Sequence, residues 1–172
     1  MRDPFETERL IIRKFYSRDA PFVYALLNSP GWLQFIGDRG VKTLKDASTY
    51  IENLSSHYNK HGFGPYLVSL KENSLPIGMC SLIKRETLED VDIGFAFLPE
   101  FMGKGFAYEA AKGTYNFAKR NLGLKQLAAI TNTNNIASIN LLKKLGFTYI
   151  RNLVLPGETE EVCLFTDNIN ND

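Results

Sequence analysis

A chain of 172 residues has the usual size of one domain, and 44% hydrophobic residues can furnish its core. Twenty basic against nineteen acidic residues leave a formal charge of +1, which excludes the broad cationic footprint of a nucleic-acid or anionic-membrane binder. Residues 1–172 are therefore expected to form one domain that reads any anion locally, with no nucleic-acid or membrane partner.

The start, Met1-Arg-Asp-Pro-Phe-Glu-Thr-Glu-Arg9, is charged and lacks the apolar stretch of an export signal. No run approaches the ~20 apolar residues that cross a bilayer, so a soluble, cytoplasmic protein is expected. Cys80 and Cys163 lie in apolar, strand-like segments without C-x-x-C spacing and are expected as small core residues.

Residues 9–15 read as a first strand, followed by a helix that Ser17 or Asp19 can cap and that continues through Phe22, Val23, Leu26 and Leu27. Ser29-Pro-Gly31 stops it, and residues 32–40 read as irregular. From Thr43, the positions Leu44, Ala47, Ile51, Leu54 and Tyr58 keep a helical period that residues 60–65 end. Residues 66–70 and 75–83, joined by Lys71-Glu-Asn-Ser74, predict an antiparallel hairpin. After the polar turn 85–90, residues 91–98 add the third strand of a meander.

Residues 101–110 join that strand to a helix on which Phe106, Ala110, Thr114 and Phe117 share one face. Asn121-Leu-Gly123 closes this helix, and residues 125–131 form a strand, so strand, helix and strand make a parallel βαβ unit with a right-handed crossover. A ligand is expected beyond the C-terminal ends of its strands. Asn134 and Asn135 precede a short helix ended by Gly146, residues 147–154 and 161–166 form a closing hairpin, and residues 167–172 are expected as a loose tail. The expected fold is α/β: a mixed, mostly antiparallel sheet of about seven strands with flanking helices and one central parallel βαβ unit.

The glycine loop has chemical content. A first helical turn leaves N–H groups without partners at the positive end of the dipole, which attracts phosphate. Gly103 and Gly105 let the main chain approach a bulky anion, and Lys104 adds a charge. A simple turn is the alternative reading of the same residues. Neither common nucleotide loop fits, because no hydroxyl follows Lys104 and Tyr108 stands where a dinucleotide loop needs a third glycine.

Met102-Gly-Lys-Gly-Phe-Ala107 resembles the acyl-CoA loop Q/R-x-x-G-x-G/A of the GNAT superfamily of N-acetyltransferases, with Met102 departing from the pattern. Asn135-Ile-Ala-Ser138 and Leu141-Leu-Lys-Lys-Leu-Gly-Phe147 resemble its N-x-x-S segment and K-x-G-F ending; as a local reading, Asn135 also caps a helix. Thr7-Glu-Arg-Leu-Ile-Ile-Arg13 is similar to the T-E-R-L-x-x-R opening of the branch that includes ribosomal-protein N-terminal acetyltransferases, and Asp92-Ile-Gly-Phe95 to its E-I-G-Y strand.

The resemblance implies acetyl-CoA as co-substrate, held in a V-shaped opening between strands ending near Leu98 and Thr131. Its pyrophosphate would meet the backbone of Gly103, Lys104, Gly105, Phe106, Ala107 and Tyr108, its pantetheine arm the main chain around Phe97, and Asn135 would complete the cofactor set. No metal is required. Asp92 is the first candidate for general base, with Glu86, Glu89 and Asp90 close by in sequence. Many members carry a tyrosine where this chain has Leu142, and Ser138 is the candidate proton donor in its place. His57 and His61 are assigned to the surface, while Trp32, Phe35, Tyr50, Phe63 and Tyr66 form either an acceptor pocket or core. The implied reaction is acetyl transfer to a primary amine, a protein N-terminus or a small molecule, by a monomer or homodimer. The competing function is an acyl-CoA-binding sensor or interaction module without turnover.

Overall fold

The computed structural model describes residues 4–167. Among them, one sheet of eight strands runs in the order β1-β2-β3-β4-β5-β6-β8-β7, antiparallel except where β5 meets β6. Its strands are β1 (Phe5–Glu6), β2 (Leu10–Arg13), β3 (Pro65–Leu70), β4 (Pro76–Ile83), β5 (Val91–Phe97), β6 (Leu127–Asn132), β7 (Thr148–Val154) and β8 (Glu161–Thr166). The helices are α1 (Ala20–Leu27), α2 (Pro30–Phe35), α3 (Leu44–His61), α4 (Phe106–Arg120) and α5 (Ile136–Lys144). None is long and apolar enough to cross a membrane.

Side chains of each strand alternate between faces, so the sheet carries two cores. One joins Leu10, Ile12, Cys80, Leu82, Val91, Ile93 and Phe97 to Ala110 and Ala118 of α4 and Leu142 of α5. The other joins Leu67 and Met79 to Val23 and Leu26 of α1, Trp32 of α2, and Ala47, Ile51 and Leu54 of α3. Both cysteines are free and buried, as their apolar settings predict.

Several local expectations are corrected. The strand beyond the expected seven is β1, two residues too short to show a period, which folds back on β2. Residues 30–35 form a helix where irregular chain is expected, because Pro30 at the first helical position needs no donor and has its φ preset. Asp19 is the N-cap residue of α1, as expected, but its side chain makes no capping hydrogen bond to that helix. Its carboxylate accepts the Tyr16 N–H (2.8 Å) and both Arg13 terminal nitrogens (2.7 and 2.8 Å), tying the end of β2 to the start of α1. Thr43 caps α3 in a reciprocal box with Asp46, but Leu44 in its first turn is 54% exposed and outside the core. Asp167 is no loose tail: its carboxylate accepts the Leu127 N–H (2.7 Å), pairs with Lys119, and pins the start of β6; residues 168–172 lie outside the described residues.

The β5–β6 junction sets the shape of the site. Pairing covers only Val91 with Leu127 and Asp92 with Ala128; beyond that the strands separate. From Ala128 to Asn132, β6 stays paired with β8 on its other edge while its edge toward β5 is left unpaired beyond Ala128. The result is a V whose apex is Asp92 and whose mouth opens toward the start of α4.

Candidate active site

On the β5 side of the V, Leu98 donates its N–H to the Ile77 carbonyl of β4 (3.0 Å). The ladder with β4 is unshifted, so by alternation the N–H and C=O of Phe97 and Phe95 point away from β4 into the opening. The Phe97 ring turns inward over Gly78, where a Cβ would come within 2.4 Å of it. Gly78 thus keeps this part of β5 tight against β4.

The loop after β5 turns through two left-handed glycines, Gly103 (φ 72°) and Gly105 (φ 80°), and Gly105 is the N-cap of α4. The first helical hydrogen bond is Glu109 N–H to the Gly105 carbonyl (3.1 Å). The N–H groups of residues 103–108 have no acceptor among the described residues, and Gly103, Lys104 and Gly105 face solvent. Lys144 lies 4.2 Å above the Tyr108 ring and Lys112 5.8 Å from it, so the amide row is flanked by cations from α4 and α5. Sequence reasoning missed both lysines. Lys112 follows Tyr108 by one helical turn, but Lys144 arrives only through tertiary packing.

This row is held from behind by the turn between β1 and β2. Glu109 accepts from Thr7 Oγ1 (2.6 Å), the Arg9 N–H (2.7 Å) and Arg9 Nε (2.6 Å), while Arg9 Nη1 donates to the Lys104 carbonyl (3.2 Å) and its guanidinium lies 4.4 Å over the Phe106 ring. Gly113 admits the turn, since a Cβ there would meet Thr7 Cγ2 at 2.7 Å. Burial pushes the Glu109 carboxyl up, but the bonds from Thr7 and Arg9 outweigh it and hold the carboxyl below its usual range. The T-E-R-L segment is thereby explained as a clamp on the loop. Glu109→Ala is expected to cost about 1 kcal/mol of stability in a denaturant titration, by removing an acceptor of three hydrogen bonds, of which the two from Arg9 are exposed to water. It should also weaken coenzyme A binding several-fold by calorimetry.

At the apex, Asp92 is 3% exposed. Val91 and Ile93 belong to the α4 core and Ala96 packs on the α1–α3 core, so Asp92 faces the α1–α3 side. Arg85 Nε donates to Asp92 Oδ2 at 2.7 Å. Oδ1 has no hydrogen-bond partner of good geometry among the described residues, although the Ile130 amide is near enough to lower the carboxyl slightly. Burial pushes the Asp92 carboxyl up to about 6 against the opposing pull of Arg85. A buried carboxylate with one oxygen anchored and the other buried without a partner can accept a proton when a donor reaches it. Glu86 and Glu89 are exposed, Asp90 is half-buried, and none of the three is held as Asp92 is.

The family model described as an acetyltransferase (GNAT) domain matches residues 9–148. This chain belongs to the GNAT family. An uncharacterized N-acetyltransferase of Bacillus subtilis (strain 168), YoaA, is 29% identical over 145 residues, covering 83% of this GNAT chain and 81% of YoaA. The ribosomal-protein-S5-alanine acetyltransferase from Vibrio fischeri superposes with a TM-score of 0.78 at 23% identity, over 98% of this chain and 97% of that one. RimL, a ribosomal L7/L12 alpha-N-protein acetyltransferase in complex with coenzyme A, gives 0.76 at 17% identity, over 96% and 97%. At such identities the structural likeness is one of fold.

Other GNAT positions fall as follows. Asn135 Oδ1 accepts the Ser138 N–H (3.2 Å) and caps α5, so this carbonyl oxygen is engaged locally. Ser138 is half-buried in the first turn of α5. Leu142, at the position where many GNAT members carry tyrosine, is 1% exposed in the α4 core. Of the aromatic residues weighed as an acceptor pocket, Phe63 and Tyr66 are core, Tyr66 packing on Tyr58 and Phe117. Trp32 and Tyr50 lie on the α1–α3 side, where the buried Trp32 Nε1 finds no acceptor among the described residues. Gly31 at the start of α2 approaches Met102, joining that side to the glycine loop. His57 and His61 are half-buried at the end of α3, and among the described residues no cluster of ligating side chains could hold a metal.

Proposed function

We propose that this chain transfers an acetyl group from acetyl-CoA to a primary amine by direct attack within a ternary complex. The observation that carries the reading is the V between β5 and β6, which has a row of unpartnered amides at its mouth and, at its apex, a buried carboxylate with one unpartnered oxygen. These residues fit coenzyme A: the amides of residues 103–108 would meet its pyrophosphate, with Lys112 and Lys144 adding positive charge. The outward main chain of Phe95 and Phe97 offers the pantetheine amides a strand edge. A Phe97 or Phe95 N–H aimed into the opening would stabilise the oxyanion of a thioester carbonyl.

The amine must be neutral to attack. A lysine ammonium with a pKa of ~10.4 is almost fully protonated at pH 7, whereas an α-amino group near ~8 retains a useful neutral fraction. Asp92 Oδ1 takes the proton from the attacking nitrogen, the carbon–sulfur bond breaks, and CoA leaves as a thiolate. A protein N-terminus is accordingly the first acceptor to test, in keeping with the fold shared with ribosomal-protein acetyltransferases.

Because a thiol pKa near ~8.5 asks little of an acid, Ser138→Ala is expected to lower kcat by no more than about tenfold. A hundredfold loss in steady-state assays would make Ser138 an obligatory proton donor. The reading as a whole is tested by thiol release from acetyl-CoA across a panel of N-terminal peptides and small amines. Release above background on at least one acceptor is expected; tight coenzyme A binding without any release would leave the sensor function standing instead.

A further inference from the structure

The β4–β5 connection, residues 84–90, has no role in the chemistry described so far, yet it is built with care. Leu88 is buried, and its N–H returns to the Arg85 carbonyl (3.3 Å). Lys84 Nζ donates to the Leu88 carbonyl (3.0 Å) and also to that of Glu89. These contacts close the loop on itself and fix the backbone from which Arg85 reaches Asp92 across seven residues. Arg85 keeps 36% of its side chain exposed while its partner is almost wholly buried. A guanidinium in that position stays hydrated on one side and holds a desolvated carboxylate on the other, an arrangement a surface ion pair does not need.

We propose that Arg85 is a positioning residue for the transfer reaction: by holding Asp92 Oδ2 it fixes the carboxylate and leaves the buried, unpartnered Oδ1 as the oxygen that takes the proton. The proposal rests on Asp92 being the base. Groups facing this carboxylate from the neighbouring elements are few. Ile83 of β4 stands opposite it, and Ala128 and Ile130 of β6 share its face, none of them ionisable. His57 of α3 is kept below its usual value by burial first, then by His61, Lys60 and Arg85. The proton moved is the one lost by the amine; it passes to Oδ1 and then to solvent, and no electron transfer or co-reactant enters.

Without Arg85, burial of Asp92 is unopposed, so the acidic limb of kcat/KM moves to higher pH. In pH–rate profiles, Arg85→Ala is expected to shift that limb upward by about one to two pH units and to lower the rate at pH 7 by about two- to tenfold. Arg85→Lys, which restores the charge without the planar fork, should place the limb between the two. An NMR titration of His57 supplies an independent reading, since losing the nearby cation should raise its midpoint. Asp92→Asn is run beside them. If it abolishes the limb while both Arg85 variants keep the wild-type limb, Arg85 has no positioning role and the base assignment stands. If Asp92→Asn keeps the limb, the base assignment fails and the role of Arg85 fails with it.

Discussion

Asp92→Asn is expected to lower kcat/KM at pH 7–8 by about 10²- to 10³-fold, the usual contribution of a positioned general base. The same change should make the protein more stable. Burial has raised the Asp92 carboxyl from 3.8 to about 6. Between those values the folded chain binds a proton that the unfolded chain has released, so wild-type stability falls as pH rises through the window. A shift of that size corresponds to about 3 kcal/mol. Asn has no such window, and Arg85 is exposed enough to remain hydrated after losing its partner. Denaturant melts should therefore show the variant ahead by about 1–3 kcal/mol at pH 8, with the advantage shrinking below pH 6 and gone below 3.8. Lower stability with an unchanged rate and acidic limb would mark Asp92 as a structural partner of Arg85 and nothing more.

Gly105→Glu is expected to weaken coenzyme A binding by tenfold or more, about 1.4 kcal/mol or greater, in calorimetric titration. Two effects act together. The negative charge enters the row of amides at the α4 N-terminus, where the dipole and three lysines would otherwise draw a pyrophosphate. The new Cβ also demands a left-handed backbone at φ 80° and sets the added side chain beside Arg9 Nη2, 3.4 Å away. Left-handed strain alone costs about 1–2 kcal/mol, and Gly123→Glu isolates that cost. Gly123 has φ 67° with open space around it, beyond the far end of α4. It should lose similar stability and bind coenzyme A normally. Equal affinities for the two variants would remove the loop as the phosphate site.

Much of the fold was legible locally. Thr43 with Asp46, Gly62 after α3, Asn135 before α5 and the period of α4 are set within a turn or two of chain, where capping and burial act on neighbours. β1 was illegible, since two residues hold no period and become a strand only by lying against β2. α2 is hidden in the sequence because Pro30, which ends one helical pattern, is also the start of another helix. Phe63 and Tyr66 show the limit for pockets: an aromatic residue looks alike in a core and in a binding wall until the sheet assigns its face.

By itself the sequence determined the order of the elements other than β1 and α2, the glycine loop at the head of α4, and an acidic residue in β5, because each depends on spacing and backbone preference along a few residues. Only the tertiary structure decided that β5 and β6 part after Asp92, that Thr7 and Arg9 grip Glu109 a hundred residues away, that Lys144 comes to lie over Tyr108, and that Arg85 claims one oxygen of Asp92 and leaves the other unpartnered. The β5–β6 opening, the Glu109 clamp and the Lys144 contact join segments far apart in the chain. The Arg85 contact is close in sequence, but the burial that gives it meaning comes from the sheet, and burial is what turns an ordinary aspartate into a group that titrates near neutral pH.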